Sequence, residues 1–266
     1  MDEDLQDRSI LDALQQYFIG EKDRPGTVSE WMLRLGNYFL GTPYGAGTLD
    51  KGEPEALVVN LRAFDCFTFI ENLVTLALLL SAGPVSFERY REMLMSIRYR
   101  RGRPDGYASR LHYFSDWLFD NQRRGHVQNI SHLLGGQIFS KKIGFMTGHP
   151  DDYPALKNRK VYRQMKAVER RMQRRVIYYI PGVPLKETAQ RIAGGDLIAV
   201  TTSIEGLDVI HVGIAVRAMR QLHLLHASSR AGKVILSTES LNRYLTEDRD
   251  RTGIMVARVT EPAPFL

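Results

Sequence analysis

The chain has 266 residues, 44% of them apolar and 25% charged, with a formal net charge of +6 and a pI near 9.4. This is an ordinary globular composition, long enough for one large domain or two small ones. No stretch reaches the 18 continuous apolar residues of a membrane span, and a single cysteine excludes both an intramolecular disulfide and a multi-cysteine zinc site.

The chain opens acidic (MDEDLQDRS) and turns amphipathic, so no secretory signal is visible. Apolar spacing predicts helices over 10–18 and 28–39, with Thr27 or Ser29 as cap of the second. LGTPYGAGTLDKGEPE (40–55) is dense in glycine and proline and reads as loop. VVNLRAFDC then leads into an apolar helix from Cys66 to Leu80. Residues 86–98 read as helix, 109–122 as helix or a structured lead-in, and 125–195 as short strands and loops. The last third changes character: 196–202, 208–217, 222–229 and 233–239 are short β-rich runs separated by glycine or polar turns, the spacing of an antiparallel meander. Helices first and sheet second predict an α+β fold. With no convincing linker, the expectation is one domain over 1–266. Helices at 1–40 precede a loop and apolar helix at 41–83, an elaboration at 84–195 and a sheet over 196–258.

Cys66 is the residue that raises a chemical question. A cysteine is nucleophilic as thiolate, and a helix N-terminus or a nearby imidazolium lowers its pKa. The same converging N–H groups hold an oxyanion. A histidine partner need not be close in sequence. His211 lies on an apolar strand (DVIHVGIAV), where an uncompensated polar ring is costly, and His226 ends the next (LLHASS). If the two strands form a hairpin, the rings are neighbours, one as base and one as its orienter. The competing reading is packing, since free cysteine is among the most buried residue types.

TPYGAG, FDCFTFIE, IHVGIAV and LLHASS together resemble the NlpC-type papain-like amidases and peptidases of the bacterial cell wall. The longer blocks GTPYGAGTLDKGEPEALVVNLRAFDCFTFIENLVTLAL, SRLHYFSDW and GLDVIHVGIAV resemble the N-acetylmuramoyl-L-alanine amidase-like branch. The resemblance implies a papain-like domain in which the Cys66 helix packs on the sheet and 84–195 lines the cleft. It implies Cys66 as nucleophile, His211 as base and His226 as orienter. Tyr44, Asp65 and Thr68 would contact substrate, with Arg110 and His112 reaching sugar or peptide carboxylates. Phe67 and Thr68 replace the common Ser-Gly after the cysteine, which favours cutting the amide between muramic acid and L-alanine. A γ-D-glutamyl–diamino-acid endopeptidase and a non-catalytic wall-binding module are the alternatives. Peptidoglycan or muropeptide fragments are the implied partner of a monomer without cofactor, in the periplasm or envelope, or in cytoplasmic recycling of wall fragments.

Other features carry less. His112, His126, His132 and His149 lack zinc-enzyme spacing. Glu71, five residues past Cys66, is expected to face away from it. LLGGQ (133–137) reads as a turn. The run 159–175 holds eight basic residues and one acid. Without a recognition motif it reads as a solvated face or a contact with an anionic polymer, not as a nucleic-acid site.

Overall fold

A computed structural model describes residues 3–19, 25–50, 54–182, 185–218 and 220–261. Two helices, α1 (Glu3–Ile19) and α2 (Val28–Tyr38), precede the long loop, and α3 (Cys66–Ala82) and α4 (Phe87–Arg98) follow it. The middle of the chain holds α5 (Phe114–Arg123), β1 (Val127–Asn129), β2 (Gln137–Ile138), α6 (Phe145–Gly148), α7 (Arg159–Met172) and β3 (Tyr178–Pro181). After α8 (Lys186–Arg191) come β4 (Leu197–Thr202), β5 (Val209–Ala218), β6 (Gln221–Ser228), β7 (Lys233–Leu236), α9 (Leu241–Thr246) and β8 (Arg251–Val259). The result is a mixed α+β protein around an antiparallel sheet.

The predicted run β4–β7 is a meander, but β8 returns to pair with β4 on its far side, giving the order β2-β3-β8-β4-β5-β6-β7. This corrects the simple meander. β4 is buried at every position, so it needs a partner on both edges to satisfy its backbone groups. The middle region also adds β1 and β3 beside β8, so it extends the sheet as well as elaborating on it. These strands are too short to show a period of two.

The sheet is covered on both faces. Leu197 and Ala199 of β4, with Val212 and Ile214 of β5, join the core that includes α1, α2, α3 and α4. Ile198 and Val200 point the other way, into a second core with Leu185, Leu241 and Leu245. Burial on both faces explains why these strands are apolar without alternation.

α3 is the spine of the larger core. Every residue from Thr68 to Leu80 is buried, as expected of a helix that is apolar all round. Each buried leucine contributes roughly 1.5–3 kcal/mol. Its polar residues are matched inside the protein: Glu71 pairs with Arg98 of α4 at 2.7 Å, and Asn72 accepts from the Tyr90 hydroxyl. Glu71 therefore faces α4, as its spacing predicts. Thr27 closes a capping box with Glu30 at the start of α2, which settles the two candidate caps.

Candidate active site

Cys66 is the first helical residue of α3, and its position follows from the residue before it. Asp65 is the N-cap: its Oδ1 accepts from the Phe67 N–H at 3.0 Å and the Thr68 N–H at 2.7 Å, while Thr68 Oγ1 accepts from the Asp65 N–H at 3.0 Å. This capping box fixes where the helix starts, and hence where the sulfur points. The Phe67 and Thr68 N–H groups are taken by the cap. The Cys66 N–H precedes them and lies outside it.

The loop on the other side is also tied down. Tyr44 donates its N–H to Gly232 O at 2.9 Å and bridges Phe64, while Pro43 bridges Lys233 at the edge of the sheet. Burial, followed by the neighbouring Cys66 and Asp65, raises the Tyr44 phenol above its ordinary value.

His211 is aimed by an irregularity in the sheet. β4 and β5 pair in register as far as Val200 and His211, and the next pair is Thr201 with Val209, so Ile210 is an extra residue. Such a bulge bends the strand and redirects its side chains, a device common beside active sites. β5 and β6 pair through Ile214 and Leu225. Continuing that register sets Gly213 opposite His226, with His211 its diagonal neighbour on the same face. Gly213 is required there, because an added Cβ would lie 2.7 Å from Leu225 O and 2.9 Å from His226 Cβ. His211 Nε2 then meets His226 Nδ1 at 2.6 Å, the rings nearly perpendicular. Because Nε2 is engaged by His226, Nδ1 is the nitrogen of His211 left for proton exchange. The buried Nε2 of His226 has no hydrogen-bond partner among the described residues.

Residue 212 connects the imidazoles to the sulfur. The backbone of Val212 and of the helix start favours the Cys66 thiolate, but burial and the Asp65 charge outweigh it and push the thiol up to about 12. Burial also lowers His211 to about 3 and His226 to about 4, so it favours a neutral thiol beside neutral rings. The depressed thiol pKa expected from the helix N-terminus is thus opposed by desolvation.

Two residues that sequence reasoning missed complete the site. The Tyr244 ring of α9 lies 6.1 Å from His211 and 5.8 Å from His226. The Arg251 guanidinium of β8 stacks 3.9 Å over that ring and donates to the Tyr244 carbonyl. Its charge also lowers both imidazoles. A tyrosine in a six-residue helix and an arginine at a strand start carry no pattern that would have flagged them.

His211 and His226 thus meet directly, while Val212 and Tyr44 neighbour Cys66, with Asp65 as the cap. The other three expected substrate contacts have internal partners. Thr68 is 3% exposed, and its hydroxyl is held by Asp65. Arg110 is buried and pairs with Asp50 at 2.5 Å and Glu55 at 3.4 Å. His112 stacks on Tyr107 and contacts its carbonyl through Nε2 at 2.9 Å. Burial lowers His112 to about 3. Asp50, Glu55 and Tyr107 line a cleft of about 360 Å³, so Arg110 and His112 support a wall from behind. Each thus has an internal partner beside that cleft. Among the described residues no cluster of three or more metal-ligating side chains occurs.

The family model for AmiA-like, N-acetylmuramoyl-L-alanine amidase-like proteins matches residues 34–254. A search of curated proteins finds no match. The chain is similar to a solved Bacteroides uniformis structure named N-acetylmuramoyl-L-alanine amidase. The identity is 35% and the TM-score 0.81, over 88% of this chain and 99% of that one. It is also similar to a Bacteroides fragilis structure provisionally described as a xylanase, at 37% identity and TM-score 0.77, over 84% and 99%. A Legionella pneumophila protein at 22% identity and TM-score 0.70, over 98% and 96%, shares the fold.

Proposed function

Because the chain belongs to the AmiA-like, N-acetylmuramoyl-L-alanine amidase-like family, we propose that it is a cysteine hydrolase of peptidoglycan fragments, cutting the amide between N-acetylmuramic acid and L-alanine. The observation that carries this reading is the His211–His226 pair at 2.6 Å, on a strand whose next residue, Val212, neighbours a cysteine at a capped helix start.

In this reading the Cys66 thiol passes its proton to His211 Nδ1 as the sulfur attacks the lactyl carbonyl. With thiol and imidazole both held neutral, transfer accompanies attack instead of preceding it. The Cys66 N–H and the Tyr44 hydroxyl are the donors placed for the tetrahedral oxyanion. Collapse breaks the C–N bond, and His211 returns the proton to the leaving alanine nitrogen. A muramoyl thioester remains on Cys66, and a water deprotonated by His211 hydrolyses it to the free lactyl carboxylate and thiol. His226 holds the His211 ring and shares its charge. Tyr244, backed by Arg251, limits water at the pair. A peptidoglycan substrate places this work in the periplasm or envelope.

A glycosidase reading, which the Bacteroides fragilis description offers, needs two carboxyl groups flanking the scissile bond. The carboxylates near the site are engaged, Asp65 as a cap and Glu239 as acceptor of the Thr238 hydroxyl. The test is to digest defined muropeptides and weigh the fragments. Free saccharide plus an intact stem peptide is the expected outcome; a stem shortened after D-glutamate would replace this reading with the endopeptidase.

A further inference from the structure

Two basic stretches far apart in sequence meet in the fold. RYRRGR (98–103) ends α4 and makes the following turn, and the run 159–175 forms α7 and its exit. Between them lies a cleft of about 310 Å³, lined by Arg100, Arg101, Arg103 and Arg171 against one carboxylate, Asp105. It shares no lining residue with the Cys66 site.

We propose that this cleft is a second, non-catalytic site that binds a phosphate group. Four observations support it. First, the cleft keeps a positive surplus: Asp116 answers Arg100 and Arg175 from beneath, while the one acid of the α7 run, Glu169, is turned inward, accepting from the Tyr113 hydroxyl at 2.8 Å and the Thr147 N–H at 3.1 Å. Second, the floor is rigid. Arg100 forms a two-pronged pair with the buried Asp116 at 2.6 and 2.9 Å, and Arg175 reaches the same carboxylate at 2.5 Å. Third, Arg171 sits among like charges: burial first, then Arg100, Arg175 and Arg101, lower its proton affinity, against the Asp116 carboxylate, which raises it. Fourth, the backbone is strained: Arg101 has φ 59°, and Arg220 is the other non-glycine with positive φ among the described residues. Such conformations cluster at functional sites.

A tetrahedral dianion answers this arrangement. Guanidinium forks bind phosphate oxygens in pairs, and two negative charges match the surplus better than one carboxylate would. Free phosphate and the terminal groups of linear polyphosphate share that chemistry.

The test uses the full chain and the Cys66→Ala variant, titrated by calorimetry with inorganic phosphate, against chloride at matched ionic strength, and with linear polyphosphate. Both proteins should bind, because Cys66 takes no part. This separates failure of the site from failure of the amidase reading. Arg171→Ala and Arg101→Gly should each weaken binding roughly tenfold, the loss of about one charge-assisted hydrogen bond. Arg101→Gly should melt no lower than the parent, since glycine accepts that φ, so its loss of binding is not unfolding. Tighter binding of polyphosphate per phosphate assigns the site to a polymer, and equal binding assigns it to the free ion. No heat beyond the chloride control, or equal binding by both variants, would overturn the proposal.

Discussion

Protonation at the site is decided by burial acting on three neighbouring groups. Desolvation raises the Cys66 thiol and lowers His211 and His226, because each charged form loses more hydration than its neighbours return. Alkylation of the free protein should therefore be slow at neutral pH and lack the low-pH thiolate plateau of a preformed ion pair. A plateau below pH 6 in iodoacetamide rates would reverse this account. For turnover, the required neutral imidazoles protonate only as pH falls through about 4 to 3, so kcat/KM should be flat from pH 5 to 8. Cys66→Ala and His211→Ala should each lower kcat about a thousandfold or more, and His226→Ala less, since an orienter is partly replaceable. The two histidines stand out in the sequence because an apolar strand makes a polar ring conspicuous, and their contact is seen in the fold. The partners Tyr244 and Arg251 do not stand out, since their role arises only when α9 and β8 fold against the pair.

The helix that carries the sulfur is held at its start and along its length by different means. Asp65→Ala removes the acceptor of two N–H groups and should cost about 1 kcal/mol in urea unfolding, with Asp65→Asn costing less. Activity should fall further than stability, because the freed helix start lets the thiol turn. Along the helix, Glu71 and Arg98 form an ion pair with side chains 1% and 2% exposed. Removing one partner strands a buried charge, so Glu71→Ala should destabilise by roughly 3–5 kcal/mol, and replacing both with apolar residues by less than either single change. A Glu71→Ala variant as stable as the parent would show that water reaches Arg98. The helix and the β4–β7 runs were readable from apolar pattern. The return of β8 to β4 was not, nor was the Ile210 bulge that aims His211, because both are set by which strand satisfies a buried neighbour's backbone.

At the scale of the whole molecule, four histidines are held neutral by burial. His112, His126, His211 and His226 all lie below their ordinary value in the folded protein. The unfolded chain binds those protons near pH 6.5 and the folded one only near 3 to 4, so folding stability rises with pH across that window and falls on acidification. Above pH 7 these groups add no slope. Thermal melting should drop steadily from pH 6.5 to 4, and His112→Asn with His126→Asn should flatten that drop. The α+β class and the helices that open the chain were readable from the linear sequence. The convergence of two basic stretches on one cleft required the fold.

The central claim is that Cys66 carries a muramoyl group during the reaction. Rapid acid quench of the protein with an N-acetylmuramoyl-peptide, followed by mass analysis of the Cys66 peptide, tests it directly. The account predicts a saccharide-bearing acyl adduct on Cys66 together with released peptide whose N-terminus is free alanine. A Cys66 peptide that stays unmodified while the amide is cleaved, or cleavage that persists in Cys66→Ala, would contradict it.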